Sequence, residues 1–400
     1  MSQQPFRFAG HSLEELIDLA GTPSAYVYSR KTLSKKAYDT RAALPEKVQL
    51  HYSIKANPHS QTVAHLADLV DGMDVSSHAE LLLALGSGLN PEKISFSGPG
   101  KTDREILSAI TAGIVLHAES LNEIERLCQM ANSLQKTPRI AIRINPDFTV
   151  KQSGMVMGGG PQPFGIDLEQ IDSALNILNV NGVPCAGLHC YAGSQMLNAH
   201  LVCTLHQQTM DMMLDIVRRN DLTDVSLNLG GGFGVPYFSH ESSLDVHCVG
   251  EHLSNLIEEA HDNTGISSII IELGRYLIAE SGIYISRIIE KKHSRGKLFL
   301  VVEGGMNHHL AASGNLGQAI RRNFPIVGSA LLSRKTSNQR TTIVSIVGPL
   351  CTPLDILASD IELPELEVGD HIAVLNSGAY GYSASPHRFL SHPAPAELLI

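Results

Sequence analysis

The stretch VQLHYSIKAN, residues 48–57, reads as a strand, and the fold follows from how often its like recurs. Working outward, further strand-like runs stand at MDVSS (73–77), ISFSGP (94–99), GIVLHAES (113–120) and RIAIRINP (139–146). Three more follow at GLHCYAGS (187–194), VSLNLGGG (225–232) and IIIELGRY (269–276). Between them SQTVAHLADL, HAELLLALGSG, DREILSAITAG and SLNEIERLCQMANSL repeat apolar residues at three-to-four spacing, the mark of amphipathic helices. Eight strand–helix units predict an α/β fold, a closed (β/α)8 barrel of parallel strands. An open doubly wound sheet would carry GxGxxG after its first strand, and that motif is missing here.

After about residue 278 the rhythm changes. YISRIIEKK, KLFLVVEGG, RTTIVSIVGP and HIAVLNSGAYG are strands on turn-rich connections, with helix expected only around NLGQAIRRN. This reads as a separate β-rich domain, and the early strand SAYVYS (24–29) is free to complete it. The expected division is an N-terminal segment 1–30, a barrel 31–277 and a C-terminal β domain 278–400. A chain of 400 residues suits a barrel of roughly 250 residues with a smaller partner.

The formal net charge of −10 argues against a nucleic-acid surface, which needs a basic excess. The N-terminus lacks the apolar region of a signal peptide, and no window reaches the roughly 18 apolar residues of a membrane span. Six cysteines (Cys128, Cys185, Cys190, Cys203, Cys248, Cys351) form no CxxC pair and no zinc spacing, so no metal is expected. They read as reduced thiols of a cytoplasmic protein.

In such a barrel, functional groups collect at the C-terminal ends of the strands. The first strand ends with Lys55. A lysine inside an apolar strand must desolvate its ammonium, at several kcal/mol unless it is paired or neutralised. It either reaches solvent at the strand mouth or is an amine of lowered pKa, ready to form a Schiff base with an aldehyde. The seventh strand ends in Gly230-Gly231-Gly232, where backbone N–H groups can approach an anion or simply make a tight turn. The eighth supplies Glu272 and Arg275, which make either a structural ion pair or partners for a pyridine nitrogen and a phosphate. Together these roles suit pyridoxal 5'-phosphate, which needs a lysine for its aldehyde, an acid for its ring nitrogen and a phosphate cup.

The ordered motifs YSIKANPH, GMDVSSHAEL, FSGPGKTDREI, IRINPD, PFGID, GLHCYAGSQ, LNLGGGFG, IELGRYLIAESG, VGPLCTPLDIL and NSGAYGYSASP run from Tyr52 to Pro386, within a likeness that spans roughly Ser24 to Ile400. With them the chain resembles the fold-type III pyridoxal-phosphate decarboxylases, which include diaminopimelate and ornithine decarboxylases and share their barrel with alanine racemase. The resemblance implies that Lys55 bonds the cofactor and Glu272 partners its ring nitrogen. It makes Ser194, Gly231, Gly232, Arg275 and Tyr380 phosphate ligands, and sets Asp74, Glu80 and Arg143 around the lysine. It implies Cys351 as an acid delivered from the neighbouring subunit, and therefore a homodimer with active sites at its interface.

Three positions depart from that pattern. Tyr191 stands where the family stacks a histidine on the ring, and His189 lies two residues earlier on the same strand face. Thr352 follows Cys351 where diaminopimelate decarboxylases carry a glutamate; Asp355 is the nearest acid. After Gly305-Met306-Asn307 the arginine and tyrosine that clamp diaminopimelate are missing, and losing a bidentate clamp is not conservative. Thr352, Asp355 and His189 are thus the substrate candidates. The stretches HHLAASGN, GPLCTPLD and FLSHPAPAE look like a subgroup serving natural-product and exopolysaccharide gene clusters. The butirosin-pathway enzyme of that subgroup decarboxylates glutamate held as a thioester on an acyl carrier protein. A tethered substrate has no distal charge to clamp. Arg321, Arg322, His387 and Arg388 are the few basic residues to meet an acidic carrier. Diaminopimelate, ornithine or lysine as free substrate, and a cofactor-binding regulator without turnover, remain the alternatives.

Overall fold

A computed structural model describes residues 6–148, 155–156, 158–260, 265–318, 320–329 and 340–400. Its residue contacts divide the chain into two units: 36–235 with 242–276, and 1–35 with 236–241 and 277–400.

The first unit holds the barrel. Its strands are β1 (Val48–Ser53), β2 (Gly72–Val75), β3 (Ile94–Phe96), β4 (Val115–Ala118), β5 (Arg139–Asn145), β6 (Cys185–Cys190), β7 (Val225–Gly231) and β8 (Ile266–Leu273). Each pairs in parallel with the next, and β8 pairs with β1 through Glu272 opposite His51, which closes the ring. Both faces of these strands are covered, so they read as near-continuous apolar runs. Ile140, Ile142 and Ile144 of β5 are all buried. The intervening helices start on the residues that favour starting them. Thr102 and Glu105 make a reciprocal cap for Asp103–Ala112, and Gly113 ends that helix at φ +77°.

Strand ends differ from expectation in one consistent way. The regular ladder stops a few residues early on several strands, and the residues beyond it form turns or secondary pairings. Gly193–Ser194 is not part of β6 but pairs antiparallel with Met155–Val156.

The second unit is a mixed sheet. Ser24–Tyr28 runs antiparallel to Gly282–Ser286 and parallel to Ala396–Leu399, so the N-terminal strand completes the β-rich unit. The sheet continues through His371–Val374, Lys297–Val302, Thr341–Val347 and Ile356–Pro364. Leu13 and Leu16 of the helix Leu13–Ala20 pack with Ala25, Val27, Ile283, Ile285 and Ala373 in its core. The helix expected around NLGQAIRRN does not form among the described residues of 315–323; Ala319 lies outside them. Gly317 at φ +73° breaks the turn, and Asn323 instead exchanges hydrogen bonds of 2.7 and 2.9 Å with the backbone of Ser359. All six cysteines are unpaired.

Candidate active site

Lys55 lies one step beyond the strand that was expected to contain it. The ladder of β1 ends at Ser53, and Ile54–Ala56 make a single 3₁₀ turn that buries Ile54 and Ala56. The lysine therefore points away from the apolar wall, with 42 % of its side chain exposed. The desolvation cost expected for a lysine within the strand is thus largely relieved. Its Nζ stands 3.9 Å from Asp74 Oδ2 and 5.7 Å from the centre of the Tyr191 ring. Gly274 follows β8, and a Cβ there would lie 2.9 Å from Ala56 Cβ, so the end of β8 sits tight against the lysine turn. Arg275 opens the short helix Arg275–Ile278 just past β8, rather than ending the strand itself.

Asp74 and Glu272 both lie buried inside the barrel. Asp74 on β2 accepts hydrogen bonds from Ser95 and Ser97 at 3.1 and 2.8 Å. Burial, and then the charge of Glu272, push its pKa up to about 7, against the pull of Lys55 and the two hydroxyls. Glu272 on β8 accepts 2.6 Å from Asn228 Nδ2, and its other oxygen lies 3.5 Å from His189 Nε2. Burial also works against its ionised form, but His189, His117 and Lys55 outweigh it and hold Glu272 below the usual carboxylate range. The structure thus places His189 beside the acid, as part of the barrel interior.

Around the lysine, Glu80 accepts from the backbone N–H of Ser76 at 2.7 Å, and burial raises its pKa. Arg143 is buried and paired at 2.9 and 3.0 Å with both oxygens of Glu119, and its guanidinium lies over Phe164. Glu119 also accepts from the N–H groups of Gly98 and Gly165, so it locks Arg143 to two loops.

Beyond β7 the glycines form a close-packed turn. Gly232 has φ +77°, and a Cβ there would lie 2.2 Å from Gly193 O, beside Ser194. A Cβ on Gly231 would meet Glu272 O at 1.9 Å. No other residue fits either place without displacing backbone. Ser194 and the glycine turn are therefore neighbours, as a shared anion cup requires.

The remaining candidates belong to the β unit. Cys351 is exposed on the turn after Thr341–Val347. Thr352 caps the same turn, accepting weakly from Leu354 N at 3.4 Å. Asp355 is buried and accepts from Met306 N at 2.6 Å and Leu350 N at 2.8 Å, so both oxygens brace its own loops. That geometry argues against Asp355 as the partner of a substrate amine. Tyr380 is half-buried and holds a left-handed backbone at φ +55°, which a non-glycine residue adopts at a cost.

Motif reading does not single out Ser97, His117, Glu119 or Asn228. For Ser97, His117 and Glu119 the signal is alternation: Ser95 and Ser97, His117 and Glu119, Arg143 and Asn145 are buried polar residues two apart on or just past apolar strands. Period two along a buried strand puts such pairs on one face.

Comparison with known proteins gives this geometry a family. The description "Pyridoxal-dependent decarboxylase, pyridoxal binding domain" matches residues 30–279. The chain is 39 % identical over 382 residues to the L-glutamyl-[BtrI acyl-carrier protein] decarboxylase of Niallia circulans, covering 94 % of this chain and 88 % of that one. It is 31 % identical to the diaminopimelate decarboxylase of Aquifex aeolicus, covering 98 % and 89 %. The crystal structure of the M. jannaschii diaminopimelate decarboxylase in complex with L-lysine superposes with a TM-score of 0.89 at 26 % identity, covering 100 % and 92 %. With a barrel closed around Lys55, Asp74 and Glu272, the chain belongs to the pyridoxal-dependent decarboxylases and is an amino-acid decarboxylase that uses pyridoxal phosphate.

Proposed function

We propose that the chain removes the α-carboxylate of an amino acid carried as a thioester on an acyl carrier protein, of the glutamyl type, in a biosynthetic pathway. The observation that carries this reading is the 39 % identity to a carrier-protein decarboxylase along 94 % of the chain. Thr352 beside Cys351, and an Asp355 committed to backbone amides, agree with a distal pocket that reads no charge. A second reading, decarboxylation of free diaminopimelate, is favoured by the 31 % identity to a diaminopimelate decarboxylase.

The barrel fits the cofactor on three grounds. An accessible lysine amine stands at its C-terminal mouth, a buried ionised carboxylate lies below, and a glycine turn no Cβ could enter lies beside Ser194. Lys55 would hold the aldehyde, Glu272 the ring nitrogen, and Ser194, Gly231, Gly232, Arg275 and Tyr380 the phosphate. When bound, pyridoxal phosphate supplies a protonated ring that accepts the electron pair left when the bond from Cα to the carboxylate breaks. Glu272 keeps that ring nitrogen protonated because its own proton affinity is low. Asp74 orients the Lys55 amine, and Glu119 holds the Arg143 guanidinium in place. Tyr191 offers an aromatic face near the lysine. Cys351 is the proposed proton donor to Cα, with Lys55 as the alternative donor. Most of the acceleration would come from orientation and preorganised charge.

The proposed working form is a cytoplasmic homodimer, with the functional halves 31–277 and 278–400 and residues 1–30 joining the latter. Carbon dioxide release is the test, comparing carrier-bound glutamate with free glutamate, diaminopimelate, lysine, ornithine and arginine. The reading predicts a kcat/KM for the carrier-bound substrate at least about a hundred-fold above any free amino acid, or about 3 kcal/mol of transition-state binding. Preferred turnover of free diaminopimelate would replace it with the second reading.

A further inference from the structure

Buried Asp74 and Glu272 pose a question of charge. Asp74 is 1 % exposed and Glu272 3 %, and two like charges in so dry an interior do not persist together. Something must decide which one is ionised.

The hydrogen bonds give unequal answers at the two sites. Asp74 meets hydroxyls, which donate to a carboxylate and equally accept from a carboxylic acid. Glu272 meets Asn228, whose amide cannot turn. Its Oδ1 accepts from Gly230 N at 2.9 Å, so only its N–H faces Glu272 Oε1. On the other side of Glu272 stands His189, and the His117 ring lies 4.4 Å from that of His189 at an angle of 33°. His117 Nδ1 is in turn 2.8 Å from Ser97 Oγ, the hydroxyl that also bonds Asp74. Ser97 has a single hydrogen. When it donates to Asp74, it takes the Nδ1–H of His117, and when Asp74 gains a proton the order can reverse. A row Lys55–Asp74–Ser97–His117–His189–Glu272–Asn228 therefore crosses the barrel. Besides Ser97, His189 and Glu272, the charged groups facing His117 are Lys101 and Arg143.

We propose that His117 is a positioning residue which, through His189 on one side and Ser97 on the other, assigns the negative charge to Glu272 and leaves the proton on Asp74. It acts through its two neighbours. A cavity of about 470 Å³ at the N-terminal end of the barrel is lined by His51, His117, Ser95 and Asn228 among others. The inference rests on Glu272 being the partner of the ring nitrogen.

The test reads the protonation of that nitrogen directly, by its NMR shift in isotope-labelled pyridoxal phosphate bound to the intact protein, as a function of pH. In the wild-type protein the nitrogen should stay protonated throughout the neutral range. In His117→Leu, and in Ser97→Ala, it should lose its proton at a pH lower by about one unit or more, a ten-fold fall in proton affinity. His117→Gln, which can still bond Ser97, should recover part of the difference. Wild-type-like titration of folded His117→Leu and Ser97→Ala would overturn the proposal while leaving Glu272 in its role. If His117→Leu does not fold, Ser97→Ala decides. An unprotonated nitrogen in the wild-type protein, or a protonated one in Glu272→Gln, would instead remove the reading beneath it. The ligand atoms of His117, His189 and Glu272 lie within 4.8 Å of one another, a spacing that a divalent ion would also accept. A titration changed by a chelator would assign the cluster to a metal and overturn the proposal too.

Discussion

Lys55 Nζ stands 3.9 Å from Asp74 Oδ2 at the C-terminal mouth of the barrel, the exposed amine facing a carboxylate that is all but sealed from water. The contact is too long for a hydrogen bond. Lys55→Ala should abolish binding of the visible cofactor chromophore and lower kcat by at least about a thousand-fold, the scale seen when a covalent group is lost. Absorbance spectra and carbon dioxide release of the two proteins check it.

Asp74 should leave a signature in stability against pH. Its folded pKa is about 7, while the unfolded chain titrates near 4. Between those values the folded protein holds a proton that the unfolded chain has released. This group's contribution to stability therefore falls as pH rises from about 4 to about 7. Asp74→Asn removes the titration. Urea unfolding should show the variant gaining on wild type by about 1 kcal/mol or more between about pH 5 and about pH 8. A difference that stays flat or runs the other way would contradict the assignment.

The barrel was legible because its strands are apolar runs of uniform kind, spaced by helices with three-to-four periodicity. IIIELGRY and LNLGGGFG declared themselves, since a carboxylate in an apolar strand and three adjacent glycines are rare. Other features were hidden for physical reasons. The 3₁₀ turn of Ile54–Ala56 continues the apolar pattern of β1, so the sequence does not show where the ladder ends. Ser97, His117 and Asn228 each look ordinary alone and gain meaning only when the closed ring brings β3, β4 and β7 around one interior. The missing helix at 315–323 yields to tertiary hydrogen bonds from Asn323 that no local propensity anticipates.

Gly232 is the most constrained position of the proposed phosphate cup. At φ +77°, with a Cβ 2.2 Å from Gly193 O, Gly232→Ala should cost on the order of 1–3 kcal/mol in stability. It should also weaken cofactor binding by at least about ten-fold, because the turn must shift away from Ser194. Thermal unfolding with and without pyridoxal phosphate separates the two effects. A variant with wild-type affinity would remove this turn from the cofactor site.

Glu272→Gln keeps the shape and the partnership with Asn228 while removing the charge. Activity should fall by about a hundred-fold or more, with cofactor affinity reduced far less, since the loss is of transition-state stabilisation at the ring nitrogen. An equal loss in affinity and turnover would point to a structural role for this carboxylate.

The most direct measurement is chemical. Borohydride reduction of the protein with bound pyridoxal phosphate fixes the cofactor to whichever amine holds it, and peptide mass spectrometry reads the position. The account predicts the phosphopyridoxyl group on the peptide carrying Lys55 and on no other lysine. Its absence, or its appearance at a different lysine with Lys55 unmodified, would contradict the site on which every other claim here depends.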